Sequence, residues 1–352
     1  MKKNLTKNTE MHLLVIRTSS MGDVALTTPV LTALRKRYPE TEITLVTRPA
    51  FTSFFTSIEG LNIFTPDFNK RHKGFTGLIH LSCDIRKQYK FDHIIDLHDV
   101  IRSKILRWIF RLYGIPASVI DKGRAEKKHV IKGRTRIPLK HSVEKYCDVF
   151  QKAGFPVIPE KVQSLKPSPG AVNKITGLPL APDVINIGVA PYARHELKIW
   201  PEENMIRLLA LISEKNNVKY WLFGGREESD RLNSFHERVP ESFIVSGNLS
   251  LREELDLMSN LDFMISMDSS NMHMAVLSGT KVISIWGGTD PITGFGAWQQ
   301  PDEFAIRIPV EELTCRPCTI YGKGKCRRGD FACMNWLTPE KVYERIVNLK
   351  II

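Results

Sequence analysis

Short apolar runs alternate with longer amphipathic stretches twice along this chain, and that alternation restricts it to parallel sheets flanked by helices. In the first series, His12–Arg17, Glu42–Thr47, His93–Leu97 and Ser118–Asp121 read as strands, with Val24–Arg37, Ile101–Tyr113 and Ser142–Ala153 as helices. Between Phe155 and Asp183 prolines and glycines interrupt every pattern, which marks a domain boundary. The alternation then restarts. Ile185–Val189, Lys219–Phe223, Asp262–Ser266 and Lys281–Trp286 read as strands, and helices are expected from Glu202 to Lys215, Asn271 to Ser278 and Pro339 to Leu349. A length of 352 residues suits two such domains. The expected organisation is an N-terminal Rossmann-like domain over residues 1–170, a C-terminal one over 171–336, and a terminal helix over 337–352. Two folds of this kind leave a cleft where carboxyl ends of strands and amino ends of helices face a ligand.

Charge narrows the partner. The net charge is +12, and the excess gathers in the first half, at Lys70–Lys73, Arg102–Arg111 and Lys122–Arg136. An anionic partner on that side is implied. Zinc-finger spacing, an RNA-recognition aromatic signature and a helix-turn-helix pattern are missing, so nucleic acid is not expected. A phosphorylated glycolipid or an anionic membrane surface fits the same charge. No apolar run approaches the roughly 18 residues a membrane span requires, and the first ten residues lack a signal-peptide pattern. A cytoplasmic protein, peripheral at the inner membrane, is the expectation.

The first strand runs into Thr18-Ser19-Ser20-Met21-Gly22-Asp23 and then a helix, which puts small residues and one carboxylate at a helix amino terminus. A dinucleotide site would place G-x-G-x-x-G here and an acid after the second strand. The chain has one glycine in this turn and Thr47-Arg48 after that strand, which disfavours a nicotinamide oxidoreductase. The string LLVIRTSSMGDVALTTPVLTALRKRYPETEITLVTRPAF resembles the amino-terminal signature of glycosyltransferase family 9, the ADP-heptose:lipopolysaccharide heptosyltransferases. That resemblance implies a GT-B type α/β fold, two Rossmann-like parallel-sheet domains facing a cleft, with Asp23 as the base for an acceptor hydroxyl. By physics, a carboxylate dehydrated in a closing cleft suits the role. Ser20, Gly22 and Arg102 are placed on the acceptor side.

In the second half, Arg194 precedes Lys198-Ile199-Trp200-Pro201, which resembles the family's Lys-x-Trp-Pro motif. Lys198 is expected to neutralise a departing nucleotide diphosphate, with Arg194 as a weaker partner. Phe223-Gly224-Gly225-Arg226-Glu227 resembles a strand-Gly-Gly motif whose amides and acid face the nucleotide, with Glu227 as the acid. A solvated glutamate complementing a helix dipole is the competing reading. Asp268-Ser269-Ser270-Asn271-Met272-His273, followed by Gly287-Gly288-Thr289-Asp290-Pro291, resembles the family's Asp-Ser-Gly-x-x-His and Gly-x-Thr-Asp-Pro elements. Ser270 departs from the usual glycine and Asn271 from the usual apolar residue. A strand delivering small polar residues to a helix amino end suits a pyrophosphate, so Asp268, Ser269, Ser270, Asn271, His273 and Thr289 are assigned to the donor. Asp268 as a simple helix cap and His273 as a core histidine remain open at this level.

The chain contains no Asp-x-Asp, and metal-independent transfer with no required cofactor is expected. Cys315, Cys318, Cys326 and Cys333 have the number and tight first pair of a structural zinc site, with reduced thiols packed under a loop as the alternative. The resemblance thus implies an inverting glycosyltransferase moving heptose from ADP-heptose onto an anionic lipid-linked glycan such as a lipopolysaccharide core. A GT-B transferase using another nucleotide sugar, and a non-catalytic module binding a nucleotide sugar, are the alternatives.

Overall fold

The computed structural model describes residues 11–160, 174–175 and 183–352. The lysine-bearing first ten residues and most of the Pro- and Gly-rich stretch fall outside them. Two compact units emerge. The first takes the chain up to Lys122 together with Ser142–Glu160, and the second takes Gly123–His141 with the chain beyond. Among the described residues no helix is long and apolar enough to cross a membrane.

The first unit is built on five strands: β1 (His12–Ile16), β2 (Glu42–Val46), β3 (Leu61–Phe64), β4 (His93–Asp96) and β5 (Ala117–Val119). They are all parallel in the order β3-β2-β1-β4-β5. The helices are α1 (Met21–Ala25), α2 (Thr28–Arg37), α3 (Gly74–Gln88) and α4 (Ile101–Leu112). Every residue of β1 is buried, as expected for a central strand covered on both faces. Leu14, Ile16 and Ile94 meet Leu78, Leu81 and Ile85 of α3 and Leu106 and Phe110 of α4 in one core.

One helix was expected over Val24–Arg37, and two are found. Pro29 is the second residue of α2. It has no N–H to give the carbonyl four residues back, that of Ala25, and its ring crowds that carbonyl, so α1 ends there and α2 starts anew. β3 and α3 escaped the sequence reading, because β3 is only half-buried and Gly74 and Gly77 blur the start of α3.

Next in the chain come α5 (Arg124–Ile131), which belongs to the second unit, and α6 (Ser142–Lys152), which returns to the first. The second unit carries β6 (Ile185–Ala190), α7 (Glu202–Ser213), β7 (Val218–Leu222), α8 (Ser229–Arg238), β8 (Ser242–Ile244), α9 (Leu251–Met258), β9 (Phe263–Met267), α10 (Ser270–Leu277), β10 (Lys281–Ile285), β11 (Ala305–Ile306), α11 (Ala332–Asn335) and α12 (Pro339–Asn348). Its strands are parallel in the order β11-β10-β9-β6-β7-β8. α12 starts at a Thr338 cap whose side chain accepts the Lys341 amide, and it packs on α7.

Strand order decides where a ligand can bind. In the first sheet the chain moves outward from β1 through β2 to β3, then returns to the other side of β1 with β4. In the second it does the same around β6, returning with β9. The loops after β1 and β4, and after β6 and β9, therefore diverge at the carboxyl edge of each sheet and open a crevice there.

Candidate active site

In the first unit the crevice is lined by the segments that follow Ile16 and Asp96, which are register partners in neighbouring strands. Asp23 sits in the first turn of α1, where its Oδ2 accepts from the Ser20 hydroxyl at 2.7 Å and faces the Ser20 amide at 3.4 Å. These bonds from Ser20 to the Asp23 carboxylate tie down the start of the helix. The same oxygen pairs with Arg17 at 2.8 Å. Asp23 is thus paired with a guanidinium and keeps a quarter of its side chain exposed.

Arg17 is one residue that the sequence alone does not single out. Its guanidinium also donates to the Leu97 carbonyl and lies 5.6 Å from the ring centre of Tyr146. Burial works against its charge, and Asp23, with help from Tyr146 and Asp96, more than offsets that. Tyr146, on α6, donates its hydroxyl to the Asp23 carbonyl at 3.2 Å. Across the crevice, the His98 ring meets Thr18 Oγ1 at 3.2 Å and Ser19 Oγ at 3.1 Å. The His98 and Asp99 amides both donate to Asp96 Oδ1, at 2.8 and 2.9 Å, and Arg107 holds Asp96 Oδ2 at 3.0 Å. Burial first, then the Arg17 and Lys122 cations, push the His98 pKa down to about 3. A neutral imidazole results. Of the other residues assigned to the acceptor, Gly22 is buried, and Arg102 projects from the first turn of α4 with its guanidinium 4.8 Å from the Phe68 ring centre.

In the second unit the crevice is formed by the segments after Ala190 of β6 and Met267 of β9. Lys198 Nζ lies 2.8 Å from Asp268 Oδ2, with only 16% of the lysine side chain and 7% of the aspartate exposed. Asp268 is therefore the partner of Lys198, and Ser269 stands at the cap position of α10. An ammonium has three donors, and a single carboxylate oxygen occupies one. Ser270 and Asn271 open the helix half-exposed, while His273 is buried within it. The stem of Lys198 is pressed by Gly322, where an added Cβ would lie 2.7 Å from Lys198 Cγ.

Gly287 and Gly288 let three loops meet. The Gly288 amide donates to the Leu197 carbonyl at 2.8 Å, and its carbonyl accepts from Cys318 N at 2.9 Å. Arg316, also missed from sequence, is 2% exposed. It donates to the carbonyls of Gly287 at 2.7 Å, Trp286 at 3.3 Å, Thr289 at 3.1 Å and Ile308, and lies 3.5 Å from Asp290. It is the post around which the Gly-Gly-Thr-Asp turn folds, and Thr289 is wholly buried beneath it. Arg194 remains exposed. At Gly224-Gly225 the inward glutamate is Glu228, whose Oε2 accepts from Gly225 N at 2.7 Å. Burial raises its proton affinity and that amide lowers it. Glu227 is exposed beside Gly225.

For Cys315, Cys318, Cys326 and Cys333 the sequence leaves structural zinc and free thiols open. Among the described residues no group of three or more His, Cys, Asp or Glu is placed to hold a metal ion, and all four cysteines are free thiols. Cys318 Sγ instead lies 3.6 Å from the Gly288 carbonyl, and burial raises the pKa of Cys318 and takes that of Cys333 to about 11.

Comparison with known proteins agrees with this architecture. Residues 84–319 match the model of glycosyltransferase family 9 (heptosyltransferase). Lipopolysaccharide heptosyltransferase 1 of Escherichia coli strain RS218 is 24% identical over 327 residues, covering 86% of this chain and 94% of the relative. The solved family 9 glycosyl transferase of Veillonella parvula superposes with a TM-score of 0.74 at 19% identity, covering 99% of this chain and 98% of that one. The Escherichia coli heptosyltransferase WaaC, solved with ADP-2-deoxy-2-fluoro heptose, superposes with a TM-score of 0.64 at 18% identity, covering 96% and 100%. With a family match over more than half its length, open parallel sheets of the GT-B type and side chains gathered at both switch points, the chain belongs to glycosyltransferase family 9, the heptosyltransferases, and is a glycosyltransferase.

Proposed function

We propose that this enzyme moves a heptose from ADP-heptose to an anionic lipid-linked glycan, the core of a lipopolysaccharide or a related acceptor, with inversion at the anomeric carbon and without a catalytic metal. The observation that carries the reading is the Lys198–Asp268 pair at the β6/β9 switch point. It presents a fixed ammonium beside the open amides of α10, the donor set a departing diphosphate calls for. Asp23 takes the proton of the acceptor hydroxyl as that oxygen attacks the anomeric carbon and the bond to the diphosphate breaks. Arg17 and Ser20 fix the carboxylate in place. The donor bound by WaaC, named above, supports an adenine nucleotide. The lipid-linked acceptor implies work at the inner membrane, from the cytoplasmic side.

ADP release from ADP-heptose in the presence of a deacylated core acceptor tests the proposal. Asp23→Ala is expected to lower turnover by about 10²–10⁴-fold while donor binding persists, and chelator is expected to leave turnover intact. Undiminished turnover in Asp23→Ala removes the assigned base. Donor binding with no turnover on any core acceptor favours a non-catalytic module of the same fold. Metal analysis of the purified protein decides whether the Cys315–Cys333 thiols draw together around zinc.

A further inference from the structure

Six of the eleven large apolar side chains exposed among the described residues lie on α3, on α4 and at the residue after α4: Phe75, Ile79, Ile101, Trp108, Leu112 and Tyr113. The two helices pack side by side in the first unit. Along α4, Ile101, Ile105, Trp108 and Leu112 recur at intervals of four, three and four residues, which keeps them within an arc of about 60° on one face. The opposite face, with Ser103, Leu106, Ile109 and Phe110, is the buried one. α4 thus carries a second apolar stripe beside its core face, exposed at Ile101, Trp108 and Leu112 and half-buried at Ile105. Ile101 is 78% exposed, Leu112 67% and Trp108 57%.

The charges around the outer stripe state what covers it. α4 contains Arg102, Lys104, Arg107 and Arg111 and no acid. Arg107 turns inward to Asp96 and Asp99. Lys104 and Arg111 remain exposed beside the stripe, Lys104 at 3.8 Å from Asp99. Arg86 of α3 stacks 3.3 Å over the Tyr113 ring. A nucleic acid would engage these cations and leave Leu112 and Ile101 in water. A second copy would set this cationic face against itself. An anionic bilayer satisfies both halves, since the apolar stripe enters the acyl boundary, Trp108 and Tyr113 sit at headgroup depth, and the long basic side chains reach the phosphates.

We propose that the α3–α4 face docks the enzyme on an anionic phospholipid surface. This deepens the acceptor half of the proposed reaction and rests on it for its purpose, while binding is measured apart from transfer. The full-length protein is to be sedimented with vesicles of phosphatidylcholine alone and with vesicles containing phosphatidylglycerol. Trp108→Ser with Leu112→Ser removes exposed groups only, and an unchanged thermal midpoint verifies the fold. The wild type is expected to bind the anionic vesicles, and the double variant to bind them on the order of tenfold more weakly. Transfer to a water-soluble acceptor should be equal in both, and transfer to acceptor embedded in vesicles should fall in the variant. Absent transfer to any acceptor in the wild type, with vesicle binding still lost in the variant, sinks the reaction and spares the face. Equal vesicle binding by the two proteins overturns the face. So does a wild-type dimer that the variant converts to monomer, or salt-sensitive nucleic-acid binding that the variant abolishes.

Discussion

Asp23 and Asp268 stand out in the sequence because each lies beside a short run of small residues after an apolar strand, and Lys198 because it opens the Lys-Ile-Trp-Pro pattern. Arg17 and His98 do not, because nothing local connects them. Arg17 reaches the Leu97 carbonyl, and His98 reaches Thr18 and Ser19, only because β1 and β4 are register neighbours whose ends lie 80 residues apart in the chain. That juxtaposition is a product of the crossover, and periodicity carries no trace of it. His98 gives a pH test of that arrangement. Burial and the nearby Arg17 and Lys122 cations hold its pKa near 3, against an ordinary value of 6.5. Below pH 6.5 the unfolded chain therefore takes up a proton that the folded one refuses, and stability falls as pH drops toward 3. The contribution reaches about 1.4 kcal/mol per pH unit within that window and vanishes above it. In denaturant melts at a series of pH values, the wild type should lose stability faster than His98→Asn between about pH 6 and 4. Parallel curves for the two proteins would show that the imidazole is protonated without cost, and the neutral ring would be withdrawn.

At the scale of elements, eight of the eleven strands among the described residues were legible, since a buried parallel strand is a bare apolar run, while β3, β8 and β11, which are short and only partly buried, were not. Helix interruptions were less legible. The Thr-Pro pair that splits α1 from α2 lay inside an otherwise periodic pattern, and Arg124–Ile131 was read as charge excess although Val130 and the Lys127 stem are buried. Which of two adjacent glutamates turns inward after Gly225 depends on the phase of a single tight turn at Arg226–Glu228, and no period marks it. The loop between Cys315 and Cys333 shows how an irregular element acts on the site. Gly322, at φ +80°, sits where an added Cβ would lie 2.7 Å from Lys198 Cγ and 2.9 Å from Cε. Gly324, two residues on at φ +105°, has nothing within 4 Å of such an atom. Replacing either by alanine incurs a left-handed backbone cost of about 1 kcal/mol, and thermal melts should show similar losses. Only Gly322→Ala pushes on the lysine stem, so it alone should raise the KM for the donor and lower kcat. Equal kinetics in the two variants would mean that the loop leaves the ammonium where it is.

For the molecule as a whole, the two-unit plan followed from alternation and from the composition break between Phe155 and Asp183, while the route of the chain did not. The chain leaves the first unit at Lys122, contributes Gly123–His141 to the second, and returns with Ser142. That inserted segment is bound at several points. The Leu139 amide donates to the Ile292 carbonyl at 2.8 Å, Arg136 donates to the Arg316 carbonyl at 2.6 Å, and His141 Nε2 lies 2.9 Å from the Gly296 carbonyl. Lys127 stands 4.4 Å from the ring centre of Phe295 and 5.6 Å from that of Tyr321. Gly294 permits the approach, because an added Cβ there would fall 2.4 Å from the Lys140 carbonyl oxygen. These partners lie in the same stretch as Asp290 and Arg316, so the insert buttresses the Gly-Gly-Thr-Asp turn. A fragment of residues 161–352 would lose all of these contacts. At about 1 kcal/mol each the loss is roughly 4 kcal/mol, which in a unit of this size lowers the thermal midpoint by about 10 °C. Adding a synthetic peptide of residues 123–141 should restore part of that difference in proportion to its concentration, and a scrambled peptide should not. A fragment whose midpoint ignores the peptide would show that the insert is a passenger on the second unit.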